Sequence, residues 1–213
     1  MTNYARSERN ALCDTFLRVG PSAATLCSPW TTADLAAHLV IRESRPDLAI
    51  GILIPQFKRR LDDAMVALAA TPWAELVDQV RQGPPAWAPT RLGLVDERTN
   101  TVEFFVHHED VLRTEPGYAE PRALGRAHEQ ALWRTVSLMG RLLARKAPTG
   151  VVVVAEGFGR AALKGPGRRG TVVLRGRPGE LVLFLYGRQR VADVALEGSP
   201  ADVSALRSAS LGV

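Results

Sequence analysis

The chain has 213 residues, 46% hydrophobic and 23% charged, which supplies enough apolar material for a sizeable core and enough length for a main domain with a smaller companion. No apolar run reaches the roughly 18 residues that cross a bilayer, the start "MTNYARSERN" lacks the apolar stretch of a secretory signal, and Cys13 and Cys27 are too few for a disulfide framework, so a cytoplasmic protein with no membrane partner is expected. The net charge of +5 comes almost wholly from scattered arginines without the aromatic interleaving that single-strand binding uses, so no nucleic-acid partner is expected.

In chain order, residues 3–20 read as a first helix closed by Gly20-Pro21. The stretch "TTADLAAHLVIRE" reads as a second, with Thr31 or Thr32 as N-cap and Asp34 in the positive first turn. "PQFKRRLDDAMVALAAT" gives a third, and "PWAELVDQVRQG" a short one that stops at Gly83-Pro84-Pro85. Prolines make "PPAWAPTRLGL" a loop. "NTVEFFVHHEDVLR" and the long "PRALGRAHEQALWRTVSLMGRLLARK" complete the helical part before Pro148.

From Pro148 the patterning changes to four short runs rich in β-branched residues and separated by glycines, "VVVVAEG", "GTVVLRG", "GELVLFLYG" and "RVADVALEG", which read as strands. "SPADVSALRSA" then starts a last helix in the Ser-Pro arrangement favoured at N-cap and N1. The expected fold is α+β, with a helical bundle over 1–147 and a small α+β module over 148–213.

Chemistry concentrates in "EFFVHHED". Glu103 and His107 stand four residues apart, which places them on one helix face, and Asp110 continues that stripe. Bundles build metal sites from inward-facing carboxylates and imidazoles. If His38 of the second helix faces this stripe, two imidazoles and one carboxylate converge, and three protein ligands leave a coordination position open. Each residue also has a plainer reading. His38 could bond a backbone carbonyl, Glu103 could serve as the N3 member of a capping arrangement behind Asn100, His107 and His108 could be exposed, and Asp110 could pair with Arg113.

The two motifs "W-T-x-x-D-L-x-x-H-L" and "E-x-x-x-H-x-x-D" together resemble the DinB-like family of mycothiol-dependent maleylpyruvate isomerases and its actinobacterial metal-binding relatives. The resemblance extends to "GELVLFLYGRQRVADVALEG", which is similar to the family's C-terminal module. It implies an N-terminal four-helix metal-binding bundle, a small C-terminal domain of sterol-carrier-like α+β type, and His38, Glu103 and His107 as the metal ligands. It also implies that Asp110 contacts a ligand imidazole from outside the coordination sphere.

Such a ligand set suits zinc, and nickel, cobalt or iron(II) accept comparable donors. A thiol at the open position would be deprotonated by the cation and become the nucleophile of a thiol-dependent isomerase or S-transferase. Mycothiol is then the expected cosubstrate and a small electrophile the partner. Cys13 and Cys27 are read as structural. Arg188, in "LYGRQR" at the end of a predicted strand, is a candidate for holding a substrate carboxylate in bidentate fashion, its alternative being a surface arginine beside Arg190. Two other classes stay open: a metal or small-molecule binder without turnover, and a metal-dependent hydrolase whose open position holds water.

Overall fold

The structure, a computed structural model, describes residues 3–45, 47–48, 54–84 and 95–212. From residue 85 onward, the expected proline-rich loop falls outside the described residues. No helix among the described residues is long and apolar enough to cross a membrane. The chain divides into two compact units, Met1–Tyr118 and Ala119–Val213.

The N-terminal unit contains α1 (Tyr4–Val19), α2 (Thr32–Ser44), α3 (Lys58–Ala69), α4 (Trp73–Gln82) and α5 (Val95–Leu112). Asn3 caps α1 by accepting from the Arg6 N–H at 2.8 Å. Thr31, one of the two candidates for the cap of α2, forms a full capping box: Asp34 Oδ2 accepts from the Thr31 backbone N–H at 2.9 Å, and the Thr31 hydroxyl receives the Asp34 N–H. Helices α1, α2, α4 and α5 form the four-helix bundle around one core, in which Leu12 and Phe16 meet Leu35, Leu39, Leu76, Val80 and Phe104, all fully buried. Helix α3 packs beside α2 through Leu61 and Met65 against Ile41 and Leu48.

The C-terminal unit contains α6 (Arg126–Leu143), β1 (Gly150–Ala155), β2 (Gly159–Lys164), β3 (Thr171–Arg175), α7 (Pro178–Leu185), β4 (Ala195–Glu197) and α8 (Pro200–Arg207). The strands form a mixed sheet in the order β2-β1-β3-β4, with β1 parallel to β3 and the outer pairs antiparallel. Val153 stands opposite Leu174 on β3 and Ala161 on β2. The fold class is α+β, as expected. Helix α6 packs on α7 and β2, and the close approach is made at Gly140, where a Cβ would lie 2.7 Å from a methyl of Leu163. The expected change of patterning at Pro148 is where the sheet begins, but the compact units divide earlier and α6 belongs with the sheet.

Two expectations for this unit are corrected. "GELVLFLYG" is not a strand but helix α7, buried along its whole length. A continuous apolar run does not separate a buried strand from a helix buried all round. Pro178 at N1 starts this helix, and the Glu129 carboxylate of α6 accepts from the Gly179 N–H at 2.9 Å, satisfying a donor that the helix start leaves over. The strand expected over "RVADVALEG" shrinks to Ala195–Glu197, and "GRAALK", which carries no strand propensity to speak of, forms β2 by pairing with β1. The hairpin between them turns at Gly157, whose φ of +74° suits glycine.

Candidate metal centre

Helix α2 inserts its apolar side, Leu35 and Leu39, into the bundle, and His38 lies on the adjoining strip with 9% of its surface exposed. Arg42 follows one turn later on the same face. Helix α5 carries Glu103, His107 and Asp110 at spacings of four and three, so all three project from one face. The two faces meet. His38 Nε2 lies 3.6 Å from Glu103 Oε1, and His107 Nε2 lies 3.2 Å from the same oxygen. The imidazole rings of His38 and His107 stand edge to face at 5.5 Å, and the indole of Trp30 covers His38 at 5.1 Å.

This donor set fits a divalent cation. One ligand atom from each of His38, Glu103 and His107 lies within 4.8 Å of the others. The separations of 3.2 and 3.6 Å bracket the edge of about 3.4 Å that a tetrahedron with bonds of about 2.1 Å requires. Two imidazoles and one carboxylate match zinc and its first-row neighbours.

The surroundings assign the protons. Burial lowers the pKa of His38 against the opposing pull of Glu103, so this imidazole is neutral, the form that coordinates. His107 behaves oppositely. Burial disfavours its charge, but hydrogen bonds to Asp110, Cys27 and Glu103 outweigh that and raise its pKa well above the ordinary value. Burial likewise works against the ionised Glu103, yet hydrogen bonds from His107 and His38 hold it well below the usual carboxylate range. His107 Nδ1–H donates to Asp110 Oδ2 at 3.0 Å, which turns Nε2 toward Glu103 and His38.

Several plainer readings do not describe these residues. Helix α5 begins at Val95, so Glu103 lies in its interior and is no N3 cap. His108 is buried, with Nε2 against Thr15 Oγ1 at 2.9 Å and Nδ1 against Glu8 at 3.2 Å, and it points away from the triad into a contact with α1. Arg113 Nε donates to Glu109 Oε2 at 2.6 Å. Arg188 follows α7 rather than a strand, in the C-terminal unit, where its Nη1 donates to the Tyr186 carbonyl at 2.6 Å.

Several contributors escaped the sequence reading. Cys27 does not merely fill space. Its thiol donates to Asp110 Oδ2 at 3.1 Å, and Cys27, His107 and Asp110 form a second convergent donor group that shares His107 with the first. Arg42 Nε lies 3.2 Å from Glu103 Oε1, and Arg42 Nη1 donates to Asn100 Oδ1 at 2.7 Å. Behind them Arg9 holds Glu43 through two bonds of 2.5 Å. Arg42 sits four residues after His38, a spacing that the sequence does display. Nothing in the sequence links Cys27 to Asp110, 83 positions away.

The same architecture occurs in a crystal structure of the mycothiol-dependent maleylpyruvate isomerase, with a TM-score of 0.57 at 15% identity over 91% of this chain and 90% of that one. This chain has that enzyme's fold. A histidine-to-alanine mutant of the isomerase superposes similarly, with a TM-score of 0.55 at 14% identity over 92% of this chain and 96% of the mutant. No protein-family model matches the chain, and no curated protein matches it.

Proposed function

We propose that the chain is a metal-dependent enzyme that uses a low-molecular-weight thiol, mycothiol in the first instance, to isomerise or S-transfer a small electrophile. Zinc is the preferred metal, held by His38 Nε2, Glu103 Oε1 and His107 Nε2. The observation that carries this reading is the convergence of those three atoms from α2 and α5, and the isomerase fold supports it. When bound, the cation supplies the Lewis acidity that favours a thiolate over a thiol.

The chain's own side chains do the rest. Asp110 fixes the orientation of His107, and Trp30 walls His38 with apolar surface. Neither cysteine is needed as nucleophile. Burial pushes the Cys13 thiol up to about 12, which makes it inert, and the Cys27 thiol is engaged with Asp110. The electrophile and the thiol are the expected partners, and the cytoplasm, where thiols stay reduced, is the expected compartment. Arg188 is assigned to hold a carboxylate of the substrate.

Elemental analysis after metal loading tests the ligand set. It should give close to one divalent ion per chain, and His38→Ala should abolish it. In the cobalt-loaded protein, added mycothiol should produce a saturable sulfur-to-metal charge-transfer band. Arg188→Ala should leave that band intact and weaken only turnover of acidic substrates. A loaded protein without stoichiometric metal overturns the reading, and a cobalt spectrum indifferent to every thiol turns it toward a hydrolase or a binder.

A further inference from the structure

We propose that the C-terminal unit carries a second binding site, independent of the metal reading above, that takes a small organic phosphate monoester. The site is a cavity of about 540 Å³ lined by Arg190, Pro200, Val203, Ser204, Arg207 and Ser208, within the span of about 300–1,000 Å³ usual for small-molecule pockets. One wall is a single face of α8. Positions 200, 203, 204, 207 and 208 repeat at spacings of three and four, whereas Leu206 lies off that face and is fully buried. The other wall comes from the turn after α7. Gln189, itself buried, donates from Nε2 to the Ala209 carbonyl at 2.7 Å, and the N–H groups of Val191 and Ala192 both donate to the Arg188 carbonyl at 3.1 Å. These bonds brace the turn and tie it to the segment that follows α8, so Arg190 and Arg207 face one space. Arg188 does not line it.

Charge selects the ligand. Neither guanidinium has a hydrogen-bond or ion-pair partner among the described residues, and no acidic side chain among them lines the cavity. Two like charges on one cavity repel each other until an anion is placed between them. A phosphate monoester carries close to two negative charges at neutral pH and three acceptor oxygens, so it can face both guanidinium forks at once, whereas a carboxylate matches only one. The C-terminal end of α8 opposes an anion with about half a negative charge, which the two full positive charges exceed. The Ser208 hydroxyl offsets part of it by donating to the Ser204 carbonyl at 2.9 Å. Pro200 and Val203 add apolar surface for the organic part of the ligand.

Calorimetric titration of the full chain with phenyl phosphate at about pH 7.5, above the second phosphate pKa of about 6, should show one saturable site. Arg190→Gln and Arg207→Gln should each weaken binding about tenfold or more, the loss of one charge-assisted contact. Both residues are exposed, so the variants should keep their fold, which melting curves check. Arg160→Gln removes the same charge from β2, at the opposite edge of the sheet from β4, and should leave the affinity unchanged. Inorganic phosphate, with no organic part for Pro200 and Val203, and succinate, with its charge divided between two carboxylates, should both bind more weakly. Absence of saturable binding overturns the proposal. So does an affinity that either arginine substitution leaves unchanged, or that Arg160→Gln lowers equally. Inorganic phosphate or succinate binding as tightly as phenyl phosphate overturns the ligand class. His38→Ala should bind phenyl phosphate as the unsubstituted chain does, and loss of binding there places the anion at the metal centre and removes the second site.

Discussion

At the residue scale, the two histidines of the triad are held in opposite protonation states. His38 is kept neutral by burial and needs no proton removed before it coordinates. His107 is raised above its ordinary range by Asp110, Cys27 and Glu103 despite burial, so the metal-free protein carries an imidazolium there at neutral pH. Nε2 must lose its proton to bind a cation, while Nδ1 keeps the hydrogen bond to Asp110. The sign follows. Below the raised pKa, binding is opposed by the proton, so apparent metal affinity should climb with pH through the neutral range and level off only once His107 titrates in the metal-free protein. Calorimetric titration in buffers of different ionisation enthalpy should show about one proton released per metal at neutral pH. An affinity flat from about pH 6 to 8, a window starting near the ordinary histidine value, would remove the imidazolium from the account. The same shift gives His107 a stabilising role in the metal-free fold that is complete below its unfolded pKa and lost as pH rises through the folded one.

At the element scale, α2 and α5 make the centre, and α2 is the one whose start is visible in the residues. Thr31 and Asp34 exchange hydrogen bonds across the first turn, and the hydroxyl of Thr32 is committed elsewhere, to the Gly20 carbonyl at 2.5 Å. Thr31→Ala should therefore cost about 1 kcal/mol, within the usual span of about 0.5–2 for a lost cap. In denaturant melts this appears as a lower midpoint with an unchanged slope, and Thr31→Ser should restore most of it. A neutral Thr31→Ala would mean that packing alone sets where α2 begins. Legibility varies from element to element for physical reasons. Helical spacing alone put Glu103, His107 and Asp110 on one stripe, because i, i+3 and i+4 are fixed by the helix itself. Only the conditional step, His38 facing that stripe, needed tertiary structure, and the motif resemblance bridged it. Arg42 was legible in spacing but carried no motif, while Asn100 and Glu43 matter only through partners on other helices. Helix α7 was misread because a fully buried run has no polar face to reveal its period.

At the scale of the whole molecule, the change from helical to strand patterning at Pro148 suggested a domain boundary that packing places elsewhere. Periodicity shows that a helix such as α6 buries one face, but not what covers it. Leu132 and Val136 are buried, and the helix lies on α7 and β2. The compact units accordingly divide between Tyr118 and Ala119, and residues 119–124 belong to no helix or strand. Limited proteolysis distinguishes the two boundaries. At the later one, Lys146 lies between two anchored neighbours. The Ala147 N–H donates to the Ala144 carbonyl, the carbonyls of Arg145 and Ala147 both accept from Lys164, and Ala144 and Ala147 are buried. Cleavage there requires this whole turn to open first, whereas the bond after Arg122 lies in a partly exposed connection. Trypsin should cut after Arg122 well before it cuts after Lys146, and mass spectrometry of the early digest should find a fragment beginning at Ala123. A first fragment beginning at Ala147 would instead place the division where the patterning changes and make α6 part of the N-terminal unit.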